Sequence, residues 1–114
     1  MFESVNSVAM RSALDALALR QRVIADNVAN INTPNYHAKR VDFEDALSSA
    51  VRNGSQATVV PTVQRSLEPT RTDGNNVNLD AETLYNIDTV LRYQVATRAV
   101  EGTYTNVRTA LRTS

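Results

Sequence analysis

Met10, Leu14, Leu17, Gln21, Ile24, Val28 and Ile31 follow one another at steps of 4, 3, 4, 3, 4 and 3 residues, the spacing of a helix with one apolar seam. No Pro or Gly falls between Val5 and Ile31, and Ala9, Ala13, Ala16, Ala18, Ala25 and Ala29 add helix propensity and allow a second helix to come close. The pattern predicts a helix over residues 6–31, about 39 Å long at ~1.5 Å per residue. Gln21 is the single polar residue in the seam, a position that fixes register at some cost in stability.

Pro34 closes this helix, because its ring disfavours the α conformation at Thr33, and Pro34-Asn35 is turn chemistry. From Ala38 to Val51 the apolar positions Val41, Phe43, Ala46, Leu47 and Ala50 predict an extended piece leading into a short helix near Asp42. The acids Asp42, Glu44 and Asp45 then stand at its positive end. Residues 53–78 are polar, contain Gly54, Pro61, Pro69 and Gly74, and offer one strand, Ala57 to Val63. So long an irregular stretch points to a mobile linker or a segment ordered by a partner, the second being favoured, with a small hairpin from Thr58 to Leu67 as the structured alternative.

Asp80 stands where an N-cap belongs and no Pro follows it, so a second long helix is expected over residues 80–112. Val90, Tyr93, Val100, Tyr104, Val107 and Leu111 form one stripe on it, and Leu84, Ile87, Leu91 and Val95 an adjacent one. Two stripes imply two neighbours. Asp80, Glu82 and Asp88 precede Arg92, Arg98, Arg108 and Arg112, the charge order that the helix dipole favours. The expected fold is mainly α: two long terminal helices (1–33 and 80–114) pairing as an antiparallel coiled coil around an irregular or small β middle (34–79).

Composition sharpens this. Of 114 residues 42% are hydrophobic, but only 5% are aromatic and there is no Trp, so alanine supplies much of the apolar content and the core is thin for a free-standing domain. Neighbouring chains are expected to complete the burial. Twelve basic and twelve acidic residues cancel, which removes the general field that draws nucleic acid or an anionic membrane. Eleven of the basic residues are Arg, Lys39 being the exception, which favours bidentate pairing. With no cysteine there is no disulfide, thiol nucleophile or thiolate metal site. The N-terminus lacks the basic and apolar blocks of a cleavable secretory signal, and no apolar run reaches the ~18 residues of a membrane span.

Candidate chemistry is sparse. His37 is the only histidine, excluding a His-based metal cluster, and reads as a turn residue. Asp42, Glu44 and Asp45 lack the alternating ligands of a calcium loop. Asp73-Gly74-Asn75-Asn76-Val77-Asn78-Leu79-Asp80 has oxygens at alternate positions but no terminal bidentate Glu, and reads as a turn running into a capped helix. No phosphate loop or nucleophile elbow is present, so no catalytic residue, metal or cofactor is assigned.

The stretch Arg22-Val23-Ile24-Ala25-Asp26-Asn27-Val28-Ala29-Asn30-Ile31-Asn32-Thr33-Pro34-Asn35-Tyr36 resembles the N-terminal signature of bacterial flagellar rod, hook and hook-associated proteins. Val41-Asp42-Phe43, the stretch Asp73 to Asp80 with Glu82, and Leu91-Arg92-Tyr93 are similar to the proximal-rod branch of that family. Asn35 stands where the family usually has Gly, and Asn is the next residue able to take a left-handed conformation. The resemblance implies a non-enzymatic structural subunit of the proximal rod, the drive shaft of the basal body, polymerising through its terminal helices. The implied partners are itself, other rod proteins and export-gate components, with passage through the flagellar type III export apparatus in place of a signal peptide.

The interface residues so indicated are Leu14, Leu17, Ile24, Asn27, Val28, Asn30, Ile31, Thr33, Pro34 and Tyr36 on the first half and Leu84, Ile87, Leu91, Tyr93, Val100, Tyr104 and Val107 on the second. Asn27 and Asn30 are expected to dock against adjacent subunits, while Asn32 to Tyr36 turn the chain outward. Alternatives are a soluble coiled-coil adaptor or chaperone and the neighbouring proximal-rod paralogue.

Overall fold

The computed structural model describes residues 5–55 and 57–113, the side chains of 103–107 and 113 excepted. In chain order the elements are α1 (Val5–Ala29), β1 (Lys39–Asp42), α2 (Glu44–Arg52), β2 (Thr62–Arg65) and α3 (Leu79–Thr113). The fold is mainly helical with a small two-stranded sheet in the middle. It is drawn out to 66 × 26 × 17 Å, because the 35 residues of α3 make a rod of about 52 Å.

The long helices lie side by side in opposite senses. Asn27, near the end of α1, bonds Glu82, near the start of α3, whereas Ala96, further along α3, packs against the cluster that holds Ala16 and Leu17, further back on α1. The buried face of α1 is Val8, Ser12, Ala16, Leu17, Val23, Ile24 and Asn27. Of the expected seam, Leu17 and Ile24 are buried, Met10, Leu14, Gln21 and Ile31 are half-buried, and Val28 is exposed. The helix is turned so that the small or polar Ser12, Ala16 and Asn27 face inward beside Val8, Leu17, Val23 and Ile24, for two physical reasons. Alanine lets the helices approach, and Ser12 and Asn27 meet backbone groups that need partners: Ser12 Oγ accepts the Val59 N–H at 3.1 Å.

The core cluster is small, with Ala16, Leu17, Val23, Val41 and Phe43 at its centre and Ala13, Leu19, Leu47 and Ala96 against it. Among the described residues of α3 the fully buried ones are Glu82 and Thr89, seven apart, so its inward face there is small and polar too. The stripe Leu84, Ile87, Leu91 and Val95 is 67, 52, 56 and 69% exposed. In the other expected stripe Val90 and Val100 are half-buried while Tyr93 and Leu111 are exposed; the side chains of Tyr104 and Val107 lie outside the described residues.

Three local expectations are corrected. The strand expected over Ala57–Val63 is Thr62–Arg65, and it pairs antiparallel with β1, Lys39↔Arg65 through Asp42↔Thr62, instead of forming a local hairpin. The ladder starts late because the Val59 N–H is taken by Ser12 and Pro61 has no N–H to give. The middle, expected to be ordered by a partner, is held within the chain by this pairing and by the bond from Ser66 N to Ala38 O. The N-cap of α3 is Asn78, whose Oδ1 accepts the Ala81 N–H at 3.1 Å; Asp80 sits inside the first turn with Glu82.

Candidate functional site

Asn27 is completely buried and binds β1 as a neighbouring strand does. Its Nδ2 donates to Lys39 O and its Oδ1 accepts the Lys39 N–H, both at 3.0 Å, while Nδ2 also donates to Glu82 Oε2 at 3.1 Å. Tyr36 Oη donates to the same Asn27 oxygen at 3.4 Å. Burial, then the negative Asp26 and Glu82, push the Tyr36 phenol up from its ordinary value. The expectation that Asn27 docks on an adjacent subunit is therefore corrected: its amide is fully used inside the chain.

Glu82, also completely buried, receives Arg40 Nη1 at 2.6 Å. Arg40 reaches Glu68 with Nη2 at 3.3 Å and lies 4.3 Å from the centroid of the Tyr85 ring. Burial works against the Arg40 charge, but its bonds to Glu82 and Glu68 outweigh that and hold it more firmly protonated than an ordinary arginine. One buried carboxylate thereby ties α3 to both α1 and β1.

The end of α1 is satisfied from the other half of the chain. A helix leaves its last carbonyls without partners. Here Asn30 Nδ2 donates to Asp26 O at 2.8 Å, Asn75 Nδ2 donates to Asn30 O and Thr33 O at 2.8 Å each, and Arg71 donates to Ile31 O. Thr33 Oγ1 donates to Asn30 Oδ1 at 3.0 Å. Asn30 is thus a cap of its own helix, so replacing it by Ala alters the monomer as well as any assembly. Pro34 is exposed.

Asn75 and Asn76 point opposite ways. Asn75 takes the helix end, and Asn76 takes the strand ends: its Oδ1 accepts the Ala38 N–H at 2.6 Å and its Nδ2 donates to Ser66 O and Glu68 O at 3.2 and 3.1 Å. Asn35 adopts φ 63°, as the turn requires, and its N–H donates to Asp73 O at 2.9 Å. Gly74, at φ +81°, lies against it so closely that a Cβ there would stand 2.3 Å from Asn35 Oδ1. In the loop considered for calcium, Asp73 Oδ1 accepts the Asn75 N–H and Asn75 Oδ1 the Val77 N–H, which spends those oxygens on the turn.

A second tie fixes α1 to α2. Arg20 forms a fork to Glu44, with Nη1 to Oε2 and Nη2 to Oε1 both at 2.7 Å, donates to Val41 O and lies over the Phe43 ring. The bond from Arg20 holds the Glu44 carboxyl below its ordinary value of 4.5, against the opposing effect of burial. A depressed carboxylate contributes stability that is present above the unfolded pKa and is lost as pH falls through the folded one. Urea midpoints for the wild type and Glu44→Gln should accordingly differ at neutral pH and converge as pH drops below 4.5; a constant gap would mean the fork is not formed.

The residues missed by sequence reasoning are Asn75, Asn76, Glu82, Arg40 and Arg71. Their signal was present in the spacing of two asparagine-rich stretches, each beside the end of a long helix. The polar groups of this arrangement satisfy each other. It is a structural junction that sets where one long helix ends against where the other begins.

One half of that junction, Asn27 to Tyr36, lies in the stretch that comparison with known proteins picks out. A family described as "Flagella basal body rod protein" matches residues 9–37, from α1 through the Asn27–Tyr36 turn. The chain is 32% identical to the flagellar basal body rod protein FlgB of Escherichia coli (strain K12), covering 81% of this chain and 82% of that one. It is 29% identical to the FlgB of Bacillus subtilis (strain 168) over 90% and 89% of the two chains. It is 36% identical to that of Borrelia hermsii over 60% and 67%. At such identity over most of both lengths, the chain belongs to the FlgB family of flagellar basal body rod proteins.

Proposed function

We propose that the protein is a structural subunit of the proximal rod whose two long helices form an antiparallel coiled coil and whose outer stripes are covered by neighbouring subunits. The observation that carries this is the stripe Leu84, Ile87, Leu91 and Val95 on α3, more than half exposed along its whole length. It borders an apolar groove of about 390 Å³ lined by Leu17, Phe43, Leu47, Leu91 and Val95. The accessible surface is 7873 Å², some 1,700 Å² above the roughly 6,200 Å² of a compact monomer of this mass. That excess is about twice the ~800 Å² that one partner contributes to a standard protein interface.

The family is one of structural rod proteins, not enzymes, and membership places the chain in the basal body among other rod and basal-body proteins. A position in the periplasm beside the export gate, and export by the flagellar type III apparatus, extend that reading. Among the described residues no helix is long and apolar enough to cross a membrane. The junction makes each subunit's helix pair a unit of fixed register, and neighbours complete its burial.

Two substitutions separate folding from assembly. Ile24 is 6% exposed, so Ile24→Asp is expected to unfold the chain. Leu91 is 56% exposed, so Leu91→Asp should leave the circular dichroism of the isolated chain within error of the wild type yet remove it from purified basal bodies and abolish swimming. Normal swimming by Leu91→Asp would remove the stripe from the interface.

A further inference from the structure

The two-stranded sheet is closed on one side and open on the other. In the antiparallel register, residues 38, 40 and 42 pair through hydrogen bonds with 66, 64 and 62, so the N–H and C=O groups of Lys39 and Val41 face away from β2. Side chains of α1 meet that edge: Asn27 takes both backbone groups of Lys39 and Arg20 takes Val41 O. On β2 the corresponding outward groups belong to Val63 and Arg65, and all four residues of the strand are exposed. The sheet has room to grow only there.

Charge says what fits. Lys39 and Arg65 are cross-strand partners, two like charges directly opposite on one face, an arrangement that is unfavourable by itself. Arg65 Nη2 donates to His37 Nδ1 at 2.7 Å, a second basic residue on the same side. Among the described residues no carboxylate lies within ion-pair distance of Lys39 or Arg65, although the other central arginines, Arg20 and Arg40, are paired. Val63, two residues before Arg65 and on its face by strand alternation, is 45% exposed, and Leu67, just beyond the end of β2, is 98% exposed.

We propose that the outer edge of β2 accepts an extended acidic segment of another protein as a third strand. Backbone groups of Val63 and Arg65 bond it, a carboxylate stands opposite Arg65, and apolar side chains two positions to either side lie over Val63 and Leu67. A second copy of this chain is the poorer occupant. Self-pairing across this edge places Arg65 against Arg65, against Pro61, which has no N–H, or against Val63, and every register brings two sets of His37, Lys39 and Arg65 together. This inference is independent of the rod reading, since it concerns the sheet and not the helix stripe.

The test uses the full chain under conditions where the Lys39 amide, held by Asn27, is protected from hydrogen exchange. The probe is a blocked peptide, Val-Thr-Val-Thr-Glu-Thr-Val-Thr-Val, with a second version carrying Lys in place of Glu. The Glu peptide is expected to bind, to protect the Val63 and Arg65 amides, and to bind at least about tenfold more tightly than the Lys peptide. Arg65→Glu should invert that preference, and N-methylation of the peptide nitrogens that face the edge should abolish binding. Absence of binding, indifference to the charge, or survival of binding after N-methylation overturns the proposal. Protection of Val63 and Arg65 that rises with protein concentration alone assigns the edge to a second copy and overturns it equally.

Discussion

Glu82→Ala is expected to destabilise the chain by about 3 kcal/mol, a large part of the ~5–15 kcal/mol that holds a domain folded. The carboxylate is completely buried and the Arg40 side chain is 22% exposed. Removing the acid leaves a mostly buried guanidinium with only Glu68 at 3.3 Å and a backbone carbonyl, and strips Asn27 of its link to α3. The partial exposure of Arg40 and its remaining partner put the cost at the lower end for a broken buried pair. Arg40→Ala is expected to cost about 4 kcal/mol, because the charge it abandons has no access to water.

The decisive comparison is the pair replaced by Met at both positions. Two apolar side chains of similar length need no partners, so the double variant should regain most of what Glu82→Ala loses in urea unfolding followed by circular dichroism. It should still fail in rod assembly, because Asn27 and Glu82 no longer fix the register of α1 against α3. A cost under about 1 kcal/mol for either single variant would show that the network is too loose to set that register.

The existence and extent of both long helices, the short helix with acids in its first turn and the left-handed turn at Asn35 were legible in the sequence, because each depends on residues close together in the chain. The inward face of α1 was not. Heptad counting favours Met10, Leu14 and Val28 because they are apolar, yet rotation about the helix axis is set by Lys39 and Glu82, 12 and 55 residues from Asn27. The same distance hid the junction. Asn75 and Asn76 read as a turn from their neighbours alone, and only the ends of α1 and of the strands, brought against them by the fold, reveal why both are amides. Glu82 read as a helix-start acid, which it also is; its burial follows from lying on the same face as Thr89 and Ala96, a face too small and polar to be found by apolar periodicity.

Gly74→Ala is the second change with a large expected effect, about 3 kcal/mol, and the one that tests the junction most narrowly. The φ of +81° alone penalises a side chain by about 1–2 kcal/mol. The added Cβ also meets Asn35 Oδ1 at 2.3 Å, with Asn35 Cα and Cγ both at 3.3 Å, so the two turns must separate and the bond from Asn35 N to Asp73 O is strained. Asn35→Gly removes the colliding oxygen and relaxes a residue that is itself at φ 63°, at the cost of a freer unfolded chain, so by itself it is expected near neutral. In the double variant only the conformational penalty at position 74 should remain, about 1 kcal/mol. The two substitutions are therefore expected to couple by roughly 2 kcal/mol in a double-mutant cycle. Additive effects would mean that the turns do not touch in solution, and that the ends of the two long helices are held by Asn27, Glu82 and Asn75 without this contact.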